Sequence, residues 1–266
     1  MAYFQYQGKS VFYETWGRGK PILFLHGNTA SSRMFELLLP LYRPNFRCIV
    51  MDFVGNGRSE RVEEFPADLW HDEGRQAAAL VEHLHCGKVG IVGTSGGAWA
   101  AINAALECPE LVDAVAADSF DGRTLNEKFS DNLAAEREGA KRDPQARQFY
   151  QWCQGADWEQ VVDRDTKALL RCAGEGRPLF IKPLDELQAP VLLMGSREDA
   201  MCRRELEREY REMAAVIPRA EVCMFAHGGH PAIASNAEEA ARVITGFFSA
   251  HPAQLPWAVP DRKFSQ

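Results

Sequence analysis

Nowhere in the 266 residues is there an uninterrupted apolar run of the length a bilayer requires. The first ten residues, MAYFQYQGKS, also lack the apolar segment of an export signal. On this reading membrane insertion and secretion are both disfavoured, and a cytoplasmic location is expected. Basic residues never gather into a block: charged residues make up 25% of the chain, the two signs are interspersed, and the formal net charge is -7. Binding a polyanion needs a concentrated basic face, so nucleic acid is not an expected partner. Paired cysteines are missing as well. Cys48, Cys86, Cys108, Cys153, Cys172, Cys202 and Cys223 contain no C-x-x-C, which argues for reduced thiols and against a structural zinc site. There is no internal repeat and no low-complexity segment.

Two nucleotide signatures begin and fail. Gly55-Asn56-Gly57 would need a glycine at Glu60 to complete G-x-G-x-x-G, and Gly8-Lys9-Ser10 would need one at Tyr3 to complete a Walker A loop. A helical H-E-x-x-H is absent too; the H-x-x-H of His227 and His230 spans two glycines that preclude a helix. No metal and no cofactor are expected.

What is present is a long alternation of strand and helix. Hydrophobic residues make up 46% of the chain, enough for one large domain that buries about three quarters of its unfolded surface. Two alternating segments, 2–6 and 10–16, flank Gly8 and predict a hairpin. The run PILFL (21–25) follows, too apolar for a sheet edge. The pattern then predicts a helix at 31–42, strand 47–51, helix 69–84, strand 88–92, helix 97–107 and strand 113–117. After an interruption it resumes with strand 191–194, helix 203–217, strand 221–225 and helix 237–248. The tail from His251, with three prolines, is expected to be irregular. Strands apolar on both faces that alternate with helices predict a mostly parallel sheet covered on each side. Residues 119–186 have no convincing buried strand but carry charge and aromatics, including Phe149, Tyr150, Trp152 and Trp158, and are expected to form an inserted helical subdomain. The core is then 1–118 with 187–266.

The segment KVGIVGTSGGAWAA (88–101) holds the chemistry. A buried strand runs into Gly93-Thr94-Ser95-Gly96-Gly97 and a helix starts at once, which is G-x-S-x-G in the context it requires. A serine at such a turn projects its hydroxyl from the sheet edge, and it sits where free helical N–H groups favour developing negative charge. Its hydroxyl is a weak nucleophile until a histidine takes its proton, and that histidine needs a carboxylate to fix its tautomer.

With these residues in place the sequence resembles the α/β-hydrolase superfamily, from about Tyr3 to Phe248. Its further matches are His26-Gly27-Asn28-Thr29, similar to the family's oxyanion loop, and Asp52-Phe53-Val54-Gly55-Asn56-Gly57-Arg58-Ser59, similar to its structural D-x-x-G-x-G-x-S turn. Two more are Gly195-Ser196-Arg197-Glu198-Asp199, similar to its acid loop, and Gly228-Gly229-His230-Pro231, which matches its histidine loop. The resemblance implies an α/β, three-layer fold with a mostly parallel eight-stranded sheet, and places 119–186 as a cap over the active site. It implies Ser95 as nucleophile, His230 as base and Asp199 as acid, with Glu198 and Asp118 as alternative acids. The backbone amides of Asn28 and Gly96 would form the oxyanion hole, each such donor being worth about 3 to 4 kcal/mol in related chemistry. His26 would brace its loop, His227 would be a loop histidine, and Trp99 would belong to the core.

Relatives that use an aspartate at the elbow, epoxide hydrolases and haloalkane dehalogenases, are disfavoured by Ser95. The expected activity is hydrolysis of a small-to-medium carboxylic ester through an acyl-enzyme. The same constellation also serves thioesters, lactones, carbon-carbon bonds beside ketones and short peptides, although Glu136 and Glu138 stand in too mixed a charge context to mark an aminopeptidase. A non-turnover ligand receptor is the alternative from another class. The expected partner is a small-molecule substrate, with no nucleic acid and no membrane; a homodimer is compatible with the sequence.

Overall fold

Gln7 and Gly8 both take positive φ, 48° and 78°, the backbone of the two-residue turn whose twist suits a hairpin. That turn joins β1 (Ala2–Tyr6) to β2 (Lys9–Trp16) at the edge of the sheet in a computed structural model that describes residues 2–251. The other strands are β3 (Lys20–Leu25), β4 (Phe46–Met51), β5 (Val89–Thr94), β6 (Val112–Asp118), β7 (Val191–Ser196) and β8 (Ala220–Phe225). Their order across the sheet is β1-β2-β4-β3-β5-β6-β7-β8, with β2 antiparallel to β1 and β4 and every later pairing parallel. All six residues of β5 and all six of β7 are buried, as continuous apolar strands in a parallel sheet should be.

Helices cover both faces. One face packs under α2 (Leu69–Leu84), α3 (Gly96–Glu107) and α7 (Leu206–Ala214), with Leu23, Ile91, Trp99, Leu193 and Tyr210 in its core. The other packs under α1 (Leu39–Tyr42), α8 (Ala232–Ser235) and α9 (Ala237–Ala250), around Phe24, Tyr42, Val92, Met194 and Phe248. The result is the three-layer α/β-hydrolase fold that the resemblance implied. Among the described residues no helix is long and apolar enough to cross a membrane.

Between β6 and β7 run three helices, α4 (Phe129–Ala140), α5 (Pro144–Gln154) and α6 (Trp158–Glu175). α5 begins where it does because the Asp143 carboxylate accepts the free amides of Gln145 and Ala146 at 3.0 and 2.8 Å, and Pro144 at the first helical position has no amide to leave unpaired. Tyr150 and Trp158 stack at 5.6 Å and, with Val162, form a small core of these helices alone. Those two aromatics hold the insertion together.

Two helices differ from expectation. Residues 31–42 form a 3-10 turn (Ser32–Phe35) and then α1, because Pro40 is tolerated only in a helix's first turn and forces a restart. α7 starts at Leu206, three residues later than expected, since the Arg203 amide instead donates to Asp121 Oδ1 at 2.7 Å. The prolines of the tail lie outside the described residues.

Candidate active site

β5 and α3 meet at Ser95, which adopts φ 54° and ψ -124°, a strained conformation for any residue but glycine. Strand and helix can close this tightly only without side chains at the flanks. A Cβ on Gly93 would lie 2.6 Å from Gly97 C, and one on Gly97 would lie 2.6 Å from His26 O. The Ser95 amide donates to Asp118 O of β6 at 2.8 Å, locking the elbow to the neighbouring strand. Gly27 packs directly against it: a Cβ there would come within 2.9 Å of Ser95 Cβ and 3.4 Å of its Oγ.

The histidine loop follows β8. His230 Nδ1 lies 2.8 Å from Asp199 Oδ2, on the loop after β7. The two loops are aligned because Ser196 Oγ donates to Gly228 O, and because the start of α8 is tied to the end of β6. There Ala232 N donates to Ser119 Oγ at 2.8 Å and Ile233 N to Asp118 Oδ2 at 3.2 Å. Asp118 is thus the common support of the elbow and the histidine loop. Among the described residues the Ser95 hydroxyl forms no hydrogen bond to His230; such bonds in hydrolases commonly tighten only around substrate.

Three carboxylates stood as partners for His230, and the structure joins it to Asp199. Asp199 Oδ1 also accepts the Met201 amide at 3.0 Å, and Oδ2 receives the Cys202 thiol at 3.5 Å. Burial works against its charge, but the hydrogen bond and charge of His230 hold the carboxyl below the usual range. For His230 burial likewise favours the neutral ring, and the Asp199 bond and charge overcome it to raise its pKa above the usual 6.5. Glu198 instead faces outward to His227 Nδ1 at 3.0 Å and the Gly228 amide at 3.2 Å. Asp118 accepts Thr94 Oγ1 at 2.7 Å and Ser119 Oγ at 3.2 Å, and burial pushes its carboxyl up to about 6. Asp199, Cys202 and His230 are the one group among the described residues with three potential metal-ligating atoms together, all within 4.8 Å. The bonds from His230 and Cys202 to Asp199 account for that closeness without an ion.

His26 is fully buried and braces its loop as expected. Its Nε2 accepts the Phe53 amide at 3.1 Å, which leaves the proton on Nδ1 to donate to Gly27 O at 2.8 Å, and burial keeps the ring neutral by lowering its pKa. Asp52 shapes the next turn, accepting Ser32 N and Arg58 N at 2.7 Å each. Trp99 is core: it packs on Trp70 at 4.4 Å and donates to Gly122 O at 2.9 Å.

The side chain of Asn28 carries a role that sequence reasoning did not find, since the motif implicates only its backbone. Trp70 Nε1 donates to its Oδ1 at 3.3 Å, and its Nδ2 donates to Asp165 Oδ2 of α6 at 3.0 Å. Gln154 was missed too, although it accepts the Gly57 amide and donates to Ala30 O, each at 2.7 Å. Asp165 lies in a mixed-charge helix and Gln154 at the end of one whose aromatics dominate its pattern, so no local signal marks either. Glu209, in a run of alternating Glu and Arg, is buried and holds Arg123 at 2.9 Å, fixing the start of the insertion to α7.

Over residues 22–243 the chain matches the model of the alpha/beta hydrolase family. It is 41% identical over 91 residues to a non-heme haloperoxidase of Rhodococcus erythropolis, which is 34% of this chain and 32% of that protein. A 2-(acetamidomethylene)succinate hydrolase of Mesorhizobium japonicum is 35% identical over 105 residues, 39% of this chain and 37% of that one. The matched segments therefore span about a third of these curated relatives. In fold, the chain resembles a meta-cleavage product hydrolase from Pseudomonas fluorescens, with a TM-score of 0.75, 21% identity, and 92% and 96% of the two chains covered. With a family match running from β3 into α9 and the whole layered sheet in place around Ser95, the chain belongs to the alpha/beta hydrolase family.

Proposed function

We propose that this protein is a serine hydrolase that cleaves a small-to-medium carboxylic ester through an acyl-enzyme. The observation that carries the reading is Ser95, held at φ 54° on the N-terminus of α3, in a fold that also bonds His230 to Asp199 at 2.8 Å. Because Nδ1 of His230 faces Asp199, Nε2 is the nitrogen free to serve Ser95. As the Ser95 oxygen bonds to the carbonyl carbon, its proton passes to Nε2, and Asp199 stabilises the imidazolium. The carbonyl's π electrons move to its oxygen, which the amides of Asn28 and Gly96 receive. When the tetrahedral centre collapses, the bond to the alcohol oxygen breaks and Nε2 returns the proton to it. Water then repeats the sequence against the acyl-serine, releasing the acid and the free enzyme. α4, α5 and α6 would cap the site and exclude bulk water from the oxyanion.

A serine at the elbow favours acyl transfer over the displacement chemistry of aspartate-bearing relatives. Labelling with a fluorophosphonate probe, followed by turnover of p-nitrophenyl esters of increasing chain length, tests the reading. Labelling and multiple turnover in the natural protein, with both lost in Ser95→Ala, is the expected result. Thioester, lactone and carbon-carbon substrates would share every step up to the identity of the leaving group, so they are run beside the esters. Full activity in Ser95→Ala would overturn the assignment; labelling without turnover of any of these would favour a receptor.

A further inference from the structure

The loop that carries Asn28 is held from two sides. On the sheet side, His26 fixes its base and Trp70 donates to Asn28 Oδ1. The carboxamide lies across the elbow: a Cβ on Gly96 would come within 2.8 Å of Asn28 Cγ and 2.9 Å of Trp70 Nε1. On the other side stand two charged residues of the inserted helices. Asp165 of α6 accepts Asn28 Nδ2 at 3.0 Å, across 137 positions of sequence. Arg137 of α4 donates through Nη1 to the Thr29 hydroxyl and to Tyr150 OH, the latter at 3.0 Å, and pairs with Asp165 at 3.7 Å. Thr29 sits at φ 57° and passes its own hydroxyl proton to Asn28 O at 2.6 Å. The peptide plane that follows Asn28 is thus constrained by contacts that end in α4 and α6, while the plane that carries the Asn28 amide is held at Gly27 O by His26 Nδ1 and the Ala30 amide.

Asp165 and Arg137 are only 2% and 7% exposed. Removing two charges from water costs several kcal/mol per ion, and a pair 3.7 Å apart with Arg137 Nε and Asp165 Oδ1 unbonded recovers only part of that. Within the insertion the pair makes one bond to the small core of Tyr150, Trp158 and Val162, from Arg137 to Tyr150 OH. Outside it the pair reaches Asn28 and Thr29, on either side of the peptide plane that follows the oxyanion amide.

We propose that Asp165 and Arg137 are positioning residues that complete the oxyanion hole, so that the hole is assembled only while the inserted helices are seated on the Asn28 loop. The inference rests on the acyl-transfer reading of Ser95. Neither residue touches the reacting atoms; Asp165 fixes the rotation of the Asn28 side chain and with it the peptide plane, and Arg137 holds Thr29 in its left-handed conformation. Substrate binding under the insertion and alignment of the hole are then one event.

The test compares Asp165→Ala, Asp165→Asn, Asn28→Ala and the double variant Asn28→Ala/Asp165→Ala in the full chain. Measured quantities are kcat and KM on the best p-nitrophenyl ester, inhibition by a trifluoromethyl ketone that forms the tetrahedral adduct, inhibition by the product carboxylate, and Tm. A misaimed donor should cost about 30- to 100-fold in kcat, less than deletion of an oxyanion donor. Trifluoromethyl ketone affinity should fall in parallel, while KM and product inhibition stay within threefold. Asp165→Asn keeps an acceptor for Asn28 Nδ2 and should recover most of the loss. The double variant should be no worse than the more impaired single one, because the Asn28–Asp165 bond is already lost in each. If Asp165→Ala does not fold, Asn28→Ala removes that bond from the loop side, with Trp70→Phe, which removes the other bond to the Asn28 side chain, as its control. Either single variant with kcat and ketone affinity within threefold of the natural protein overturns the proposal, as does a loss that falls equally on KM and product binding. A natural protein that neither labels nor turns over would instead overturn the acyl-transfer reading itself.

Discussion

Replacing Asp199 with alanine removes the one carboxylate among the described residues that is bonded to His230, and the structure sets the size of the effect. The Asp199 side chain is fully buried and that of His230 is 14% exposed, so their interaction is poorly screened. Treated as unit charges about 4 Å apart at an effective dielectric of about 20, the carboxylate stabilises the imidazolium by about 4 kcal/mol. The proton reaches His230 only as the tetrahedral intermediate forms, so this lowers the barrier and its loss should slow kcat/KM about 1,000-fold. Stopped-flow or steady-state hydrolysis of a p-nitrophenyl ester reads the change, with Glu198→Gln as control. That control should remain within twofold, because Glu198 bonds the exposed His227 and the Gly228 amide, and glutamine keeps an oxygen that can accept from the amide. The pH profile supplies an independent sign. His230 must be neutral to act as base, so activity rises with pH through its pKa, which Asp199 holds above 6.5 against the effect of burial. With Asp199 gone, burial, the largest influence, is opposed only by the smaller effects of Asp118 and Glu136, and the acid limb of kcat/KM should move below 6.5. An Asp199→Ala variant within tenfold of the natural rate, or one whose acid limb stays above 6.5, would refute the assignment of Asp199.

Gly93→Ala should prevent the elbow from closing, since the new Cβ would lie 2.6 Å from the backbone carbon of Gly97; a loss of about 3 kcal/mol or more in urea denaturation is expected, and an unchanged midpoint would contradict the geometry. Asp118 predicts a pH effect on stability. Burial raises its carboxyl from 3.8 to about 6, so the folded chain holds a proton that the unfolded chain has already lost. Stability should therefore fall as pH rises through that window, by about 1.4 kcal/mol per unit, or about 3 kcal/mol in all. Urea midpoints measured between pH 4 and 7 should decline less steeply in Asp118→Asn; identical slopes would show that Asp118 does not titrate in this range.

What sequence could reveal divides along the range of the contacts. Strand β5 and helix α2 were placed to within two residues, because a fully buried strand and an amphipathic helix each carry their pattern locally. The elbow was legible for the same reason: five consecutive residues, Gly93 to Gly97, contain the whole steric argument. Residues 31–42 were misjudged as one helix because apolar spacing continues through Pro40 although the backbone cannot. Among the acids, Asp199 and Glu198 are adjacent, and only the fold shows that one turns in toward His230 and the other out toward His227. Sequence order can nominate both but cannot assign a direction to either.

Asp165, Arg137 and Gln154 mark the limit of that approach. Each is a polar residue in a helix whose sequence gives no sign of the bond it makes, and each finds its partner more than ninety positions away in a loop after β3 or β4. A buried polar group costs free energy unless it is bonded, so such residues persist in an interface only where the bonds they make are needed there. All three reach the loops around Ser95, and only Arg137 also bonds into the small core of the insertion, through Tyr150 OH. The inserted helices share the main apolar core through Leu133, Val161, Leu169 and Cys172, and to that contact they add directional bonds at the oxyanion loop and the Asp52 turn. An apolar seam could slide while remaining buried; hydrogen bonds at fixed angles cannot. A seat of this kind has one register, and that register is the one in which the amides of Asn28 and Gly96 would face the same point.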